Sequence, residues 1–234
     1  MKNSMYRRVL LKISGEALSS EQSVICRETV LDTVKKIKAV RDMGVQIGIV
    51  VGGGNIMRGR SAAGMERNRA DHMGMLATAI NALALQDALE QAGVPCEVQS
   101  AVDMDRFCEP FSARAARRAL EEGRVVVFAC GSGCPFFSTD TAAALRAAEI
   151  GADALLLAKN IDAVYSADPK TDPSAVRYRR ISYDRVVAEN LRATDLTAIT
   201  LCKEQKIPIR AFALDQIEQI FTDDSIGTHI VEHE

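Results

Sequence analysis

Three glycine-rich turns carry the first chemical signal in this 234-residue sequence: Lys12-Ile13-Ser14-Gly15, Gly52-Gly53-Gly54-Asn55 and Gly131-Ser132-Gly133. Glycine lets the backbone approach a ligand closely and take up positive φ, so successive N–H groups can converge on phosphate oxygens. Two of the turns have a cation at hand, Lys12 and Arg58. One such turn is common in α/β proteins; three, two of them with cations, point to phosphate binding. The stretch from Gly54 to Ser61 nearly matches the pattern GxxxxGK[ST]. Arg60 replaces its lysine, however, and no downstream strand ends in a convincing metal-binding Asp, which argues against a P-loop enzyme. The densest stretch is Gly131 to Asp140. It joins a glycine turn, the rigid Pro135, an apolar platform of Phe136 and Phe137, the hydroxyls of Ser138 and Thr139, and a carboxylate opening a helix. Helix capping by Thr139 or Asp140 explains part of this. It does not explain two adjacent aromatics in a loop of small polar residues.

Such turns act together only if a scaffold gathers them. Apolar β-branched runs predict strands over Arg8–Ile13, Val45–Val51, Cys96–Ala101, Arg124–Cys130, Ala154–Ala158 and Ile207–Ala213, with a last one near Thr228–Glu232. Helical spacing predicts helices over Glu28–Met43, Ala70–Gln91, Ser112–Glu122, Thr139–Ile150, Tyr183–Asn190, Asp195–Gln205 and Gln216–Thr222, several of them ended by glycine. Continuous apolar strands alternating with amphipathic helices imply an α/β fold, a three-layer αβα sandwich with a mainly parallel central sheet. No repeat, linker or low-complexity tract divides the chain, so a single domain over 1–234 is expected. In such sheets ligands sit beyond the C-terminal ends of the strands, where the glycine clusters fall.

Composition narrows the partners. Hydrophobic residues make up 47% and charged residues 26%, enough for a substantial core. A net charge of −2 gives no field for nucleic acid or an anionic membrane. Arg114, Arg117 and Arg118 are followed by Glu121 and Glu122, a solvated helix face. The six cysteines (Cys26, Cys96, Cys108, Cys130, Cys134 and Cys202) show neither CxxC pairs nor metal-ligand spacing. With no signal-peptide pattern before the first strand, reduced thiols in a cytoplasmic protein are expected. Met73–Leu89 is the most apolar long stretch, but Asn81, Gln86 and Asp87 interrupt it, favouring a core or interface helix over a membrane span.

From about Arg8 to the C-terminus the chain resembles the bacterial and archaeal uridylate kinases of the amino acid kinase superfamily. The motifs that carry the resemblance are Lys12–Leu18, Gly52–Arg58, Asp71–Thr78 (DHMGMLAT), Gly131–Asp140 (GSGCPFFSTD) and Val164–Pro169 (VYSADP). The Asp71–Thr78 run points to the bacterial uridylate branch, whereas the lysine and glycine turns are shared across the superfamily. The resemblance implies transfer of the γ-phosphate of ATP to UMP, with Mg²⁺ carried mainly by the ATP phosphates rather than by protein ligands. It places Lys12, Ile13, Ser14 and Gly15 on the ATP phosphates, Gly54 and Arg58 near the phosphoryl group in flight, and Asp140 orienting Lys12 near the metal. Lys159, Tyr165 and Asp168 fall where the family contacts the adenine nucleoside. Gly53, Asp71 and the loop Ser132, Gly133, Cys134, Pro135, Phe136, Phe137, Ser138 and Thr139 would hold UMP, with Asp71 on its ribose hydroxyls. A homohexamer built as a trimer of dimers comes with the resemblance, as does regulation by UTP (inhibition) and GTP (activation). The glycine-free stretch Ser19–Cys26 replaces a loop that many members use for GTP, which argues against that activation. Cys134 stands where Asn is frequent, and Ala163 where Gly is usual.

Chemistry supports the reading independently. A phosphate monoester has its second pKa at about 6 and is already a nucleophile at neutral pH, so no general base or His/Ser constellation is required. The site must supply in-line positioning and cationic stabilisation. Two alternatives stand beside it: a carboxylate or carbamate kinase of the same superfamily, and a non-catalytic nucleotide or oxyanion binder on the same fold. Individual residues keep structural readings too. Asp71 can cap a helix, His72 can pack in an interface, and Asp168 before Pro169 can serve an Asx turn. Asp153 and Asp162 read as structural or regulatory.

Overall fold

The computed structural model describes residues 5–57, 64–191 and 193–234. Eleven strands and six α-helices are formed among them: β1 (Arg8–Ile13), α1 (Arg27–Asp42), β2 (Gln46–Val51), α2 (Arg67–Gln91), β3 (Cys96–Ser100), β4 (Glu109–Pro110), α3 (Ala113–Glu121), β5 (Val125–Ala129), α4 (Thr139–Ile150), β6 (Ala154–Lys159), β7 (Val164–Tyr165), β8 (Arg177–Tyr178), β9 (Arg180–Ser182), α5 (Tyr183–Ala188), α6 (Leu196–Glu204), β10 (Ile209–Ala213) and β11 (Thr228–Val231). Nine strands form one sheet in the order β4-β3-β5-β2-β1-β6-β10-β11-β9, and β7 with β8 forms a separate hairpin. Pairing in the large sheet is parallel except where β11 runs against β10. The expected mainly parallel α/β sandwich is therefore present.

Side-chain alternation along the central strands decides what the site receives. Successive residues of a strand point to opposite faces. On β1, Val9, Leu11 and Ile13 join one core, packed with Val30, Val34 and Ile37 of α1 and with Ala82, Leu85 and Leu89 of α2. Leu10 joins the other core, with Ala116 of α3, Ala143, Ala144 and Ala147 of α4, and Ala198 of α6. Lys12 is two residues beyond Leu10 and so faces the α4 side, at the strand's C-terminal end. The same count on β6 puts Leu155 and Leu157 in the second core and turns Lys159 to that face. Burying each such Val, Leu or Ile stabilises the fold by about 1.5–3 kcal/mol, so a one-residue slip of β1 is strongly disfavoured. The hydrophobic pattern thereby fixes where both lysines emerge.

Two expectations need correction. Gln216–Thr222 is not a helix but two short 3₁₀ turns, Leu214–Gln216 and Gln219–Phe221. Ile217, Ile220 and Phe221 are buried at helix-like spacing. Within the segment the Ile220 carbonyl is taken at 2.7 Å by the fully buried Arg210 guanidinium, which also draws in those of Asp223 (2.6 Å) and Ile226 (2.9 and 3.1 Å), so the chain wraps this cation rather than running on as a helix. The strands β4, β7, β8 and β9 escaped the periodicity reading because two or three residues are too few to show a period.

Candidate functional site

At the C-terminal ends of β1, β2, β5 and β6 the chain assembles a charged centre between two cavities. The Lys12 ammonium lies 2.8 Å from Asp140 Oδ1, and both side chains are about six-sevenths buried, at 14% and 16% exposure. Asp140 stands in the first turn of α4, whose N-cap Ser138 accepts hydrogen bonds from the N–H groups of Asp140 and Thr141, each at 3.1 Å. Thr194 donates its hydroxyl to Asp140 Oδ2 at 2.8 Å. Burial alone would raise the Asp140 carboxyl; the charges of Lys12 and Lys159, with the hydrogen bond from Thr194, outweigh it and hold the group below its ordinary value. Lys159 is pushed down, first by burial and then by Lys12, against the opposing pull of Asp140 and Asp195. Two ammonium groups, Lys12 and Lys159, thus meet the carboxylates of Asp140 and Asp195 at one spot, and both lysines can turn to a phosphate.

The glycines of the first two turns serve the protein as well as any ligand. A Cβ on Gly15 would stand 2.1 Å from Asn55 Oδ1 and 2.7 Å from the Gly52 carbonyl, so the two turns touch backbone to backbone. Buried Asn81 of α2 holds the second turn, donating to the Gly52 carbonyl at 2.7 Å and to Asn55 Oδ1 at 2.8 Å. A Cβ on Gly53 would meet Ala77 Cβ and the Gly74 carbonyl, each at 2.9 Å, which is why α2 can lie directly on this turn. Ile13 is fully buried in the core and can offer a ligand only its backbone.

The first cavity, about 280 Å³, lies between α2 and the β5–α4 loop, and its walls include Gly53, Gly54, Arg67, Asp71, Ser132 and Thr139. Cys134, Phe137 and Ser138 also reach it, whereas Gly133, Pro135 and Phe136 do not line it. Gly133 instead packs on the Ala101 carbonyl, where a Cβ would stand at 2.9 Å. Phe136, at φ 72°, sends its N–H to Asp71 Oδ2 at 2.8 Å. Arg67 donates to that same oxygen at 2.7 Å and lies over the Phe136 ring, 5.4 Å from its centroid. Asp71 therefore bridges the two walls of the cavity. It does not cap α2, since Glu66 holds that position. His72 is exposed on α2.

The second cavity, about 530 Å³, lies beyond β6, and its walls include Lys159, Ile161, Tyr165, Asp168, Leu191 and Ala193. Its rim is built from turns. Asp168 Oδ1 accepts from the Lys170 N–H at 2.9 Å, an Asx turn, and the Tyr165 hydroxyl donates to Asp162 at 3.0 Å. That contact, with Asp162 also 3.3 Å from Arg177 Nε, gives Asp162 a structural task; Asp153 has one in accepting the N–H groups of Arg7 and Arg8 at 2.7 and 2.8 Å.

Arg58, expected beside the transferring group, lies outside the described residues. Sequence reasoning missed Thr194 and Asp195. Asp195 caps α6, accepts hydrogen bonds from the hydroxyls of Ser138 and Thr141, and thereby ties α6 to the start of α4. The only available signal was a Thr-Asp pair ahead of an apolar helical run, which reads as a helix start and nothing more.

Compared with known proteins, residues 7–212 match the amino acid kinase family. A UMP kinase from Bacillus anthracis superposes with a TM-score of 0.94 at 34% identity, over 98% of this chain and 97% of that one. A UMP kinase from Ureaplasma parvum gives 0.91 at 36% identity, over 97% and 99%. A uridylate kinase from Archaeoglobus fulgidus gives 0.74 at 31% identity, over 95% and 99%.

Proposed function

This chain belongs to the amino acid kinase family, and we propose that it transfers the γ-phosphoryl group of ATP to UMP, giving ADP and UDP. The observation that carries this reading is the Lys12–Asp140 pair, set between a cavity ending in Lys159 and another ending in Ser138 and Thr139. ATP occupies the larger cavity, its adenosine against Tyr165 and Asp168 and its phosphates towards Ile13–Gly15 and Gly54. UMP occupies the smaller one, its ribose at Asp71 and its phosphate at the N-terminal turn of α4, where the helix dipole favours an anion. The UMP phosphate oxygen attacks the γ-phosphorus in line, and the bond to the ADP oxygen breaks. No protein base takes part, because the acceptor is already ionised. Lys12 follows the charge that spreads over the γ-phosphoryl oxygens, Asp140 keeps its ammonium aimed there, and Arg58 adds a second cation from the glycine turn.

Mg²⁺ fits this centre as a passenger of the nucleotide. It is commonly held by one or two carboxylates together with substrate phosphates. Asp140 is the carboxylate that reaches the centre, with Lys12 at one oxygen and Thr194 at the other. Bound with the nucleotide, the ion would supply positive charge against the phosphates beside Asp140. Among the described residues no cluster of three or more His, Cys, Asp or Glu offers a protein cage.

Assembly and location extend the reading. Met73, Leu76 and Ile80 of α2 are exposed at 40, 54 and 48%, along one helical stripe. A second copy covers this stripe, within a homohexamer. The enzyme works in the cytoplasm, and no helix among the described residues is long and apolar enough to cross a membrane. UTP inhibits it, and GTP activation is not expected.

Release of ADP from MgATP should be followed with UMP, CMP, dUMP, acetylglutamate and aspartate as sole acceptors, with and without GTP. Turnover with UMP and none with the carboxylates is the expected result. No turnover with any acceptor, in a folded protein that binds ATP, would overturn the reading in favour of a nucleotide-binding protein.

A further inference from the structure

We propose that Thr194 is a positioning residue for the transfer reaction, its hydroxyl locking the Asp140 carboxylate in the one orientation that aims Lys12 at the reacting phosphates. The inference deepens the phosphoryl-transfer reading and rests on it. Asp140 has two oxygens with separate tasks: Oδ1 lies 2.8 Å from Lys12 Nζ, and Oδ2 accepts the Thr194 hydroxyl at 2.8 Å. A carboxylate held at one oxygen only can turn about its Cβ–Cγ bond, and the lysine it holds then wanders with it. A second donor on the other oxygen removes that freedom.

Thr194 is itself well anchored. Ala193 before it and Ala198 after it are buried, at 3% and 0% exposure. The carboxylate of Asp195 takes the Thr141 hydroxyl at 3.0 Å, the Ser138 hydroxyl, and the Ala198 N–H at 2.7 Å. Residues 194 and 195 thus lace the start of α6 to the first turn of α4 on both sides of Asp140. The arrangement is one of orientation rather than charge, because Thr194 brings no net charge to a spot that already holds Lys12, Lys159, Asp140 and Asp195.

Thr194→Val keeps the shape and removes the donor, whereas Thr194→Ser keeps the donor. Loss of a hydrogen bond to a charged group predicts a fall in kcat of about tenfold or more for Thr194→Val. KM for UMP and for ATP should change by less than about twofold, and Thr194→Ser should stay close to the parent. An NMR titration of ¹³C-labelled aspartate carboxyls in the free protein gives a readout that needs no turnover. The Asp140 resonance should titrate at higher pH in Thr194→Val and not in Thr194→Ser, because a donor to the ionised form is lost only in the first. Thr194→Ala repeats the comparison if valine is not accommodated. Parent-like kcat and an unmoved Asp140 titration in the donor-less variants would overturn the proposal. So would a Thr194→Ser variant as impaired as Thr194→Val, which would mean that packing alone matters. A moved titration in a protein that makes no UDP would uphold the Thr194–Asp140 coupling and sink the phosphoryl-transfer reading instead.

Discussion

The charged centre and the second cavity are a few residues apart along β6, yet they are built by different means. Lys12, Asp140 and Lys159 stand on two core strands and a 12-residue helix, and their directions follow from the alternation that buries Leu10, Leu155 and Leu157. The second cavity is framed by a two-stranded hairpin and by turns held locally, such as the Asp168 Asx turn. Misaligning the centre would mean disturbing the sheet; reshaping the cavity costs little more than a turn. Chemistry that tolerates no misplacement is carried by the scaffold, and nucleoside recognition is left to loops.

Breaking the centre should cost the most. Lys12→Ala is expected to lower kcat at least about 100-fold, roughly 3 kcal/mol of barrier, while circular dichroism and the thermal midpoint show a folded protein. A variant with near-parent turnover would remove Lys12 from the mechanism. The acceptor cavity comes next, because its key carboxylate ties a helix to a loop. Asp71→Ala should raise KM for UMP by about 10-fold or more and leave KM for ATP nearly unchanged, as fits loss of a charged hydrogen-bonding group from one cavity only. An equal rise in both constants would mean that Asp71 supports the whole site rather than UMP.

Acid separates the two regions in another way. Asp140 is held below its ordinary value near 3.9, so the stability it contributes is fully present above that value and is lost only as pH falls through its lower folded value. With both substrates saturating, kcat should therefore show no Asp140 titration between about pH 5 and 8. The value of kcat/KM for UMP should fall on the acid side of about 6, following the substrate's own phosphate. An Asp140 resonance titrating within that window would contradict the assignment. The smallest effect is expected at the rim. Asp168→Asn keeps an acceptor for the Lys170 N–H and should change KM for ATP by less than about threefold, measured at saturating UMP. A much larger loss would show that this carboxylate touches the nucleoside directly.

Much of this was readable in the chain before any coordinates. The long strands and helices announced themselves, RVLLKI among them, whereas the facing of Lys12 shows only once Val9, Leu11 and Ile13 are seen in one core and Leu10 in the other. The glycine turns marked the sheet end at which ligands gather. Tertiary contacts were not legible. The Gln219–Phe221 region has a helical period, but buried Arg210 claims the Ile220 carbonyl. Thr194 and Asp195 are 54 residues from their partners, and nothing in a local window announces such a contact. Gly15 and Gly53 were read as making room for a ligand, and they also make room for Asn55 and for α2.

The account's central claim is direct transfer at the Lys12–Asp140 centre, with the UMP phosphate as nucleophile. It is tested most directly by the stereochemical course of the reaction, using ATP made chiral at the γ-phosphorus and analysing the β-phosphorus of the UDP formed. Inversion is predicted, as a single in-line displacement requires. Retention would reveal a phosphorylated protein intermediate and would contradict the account.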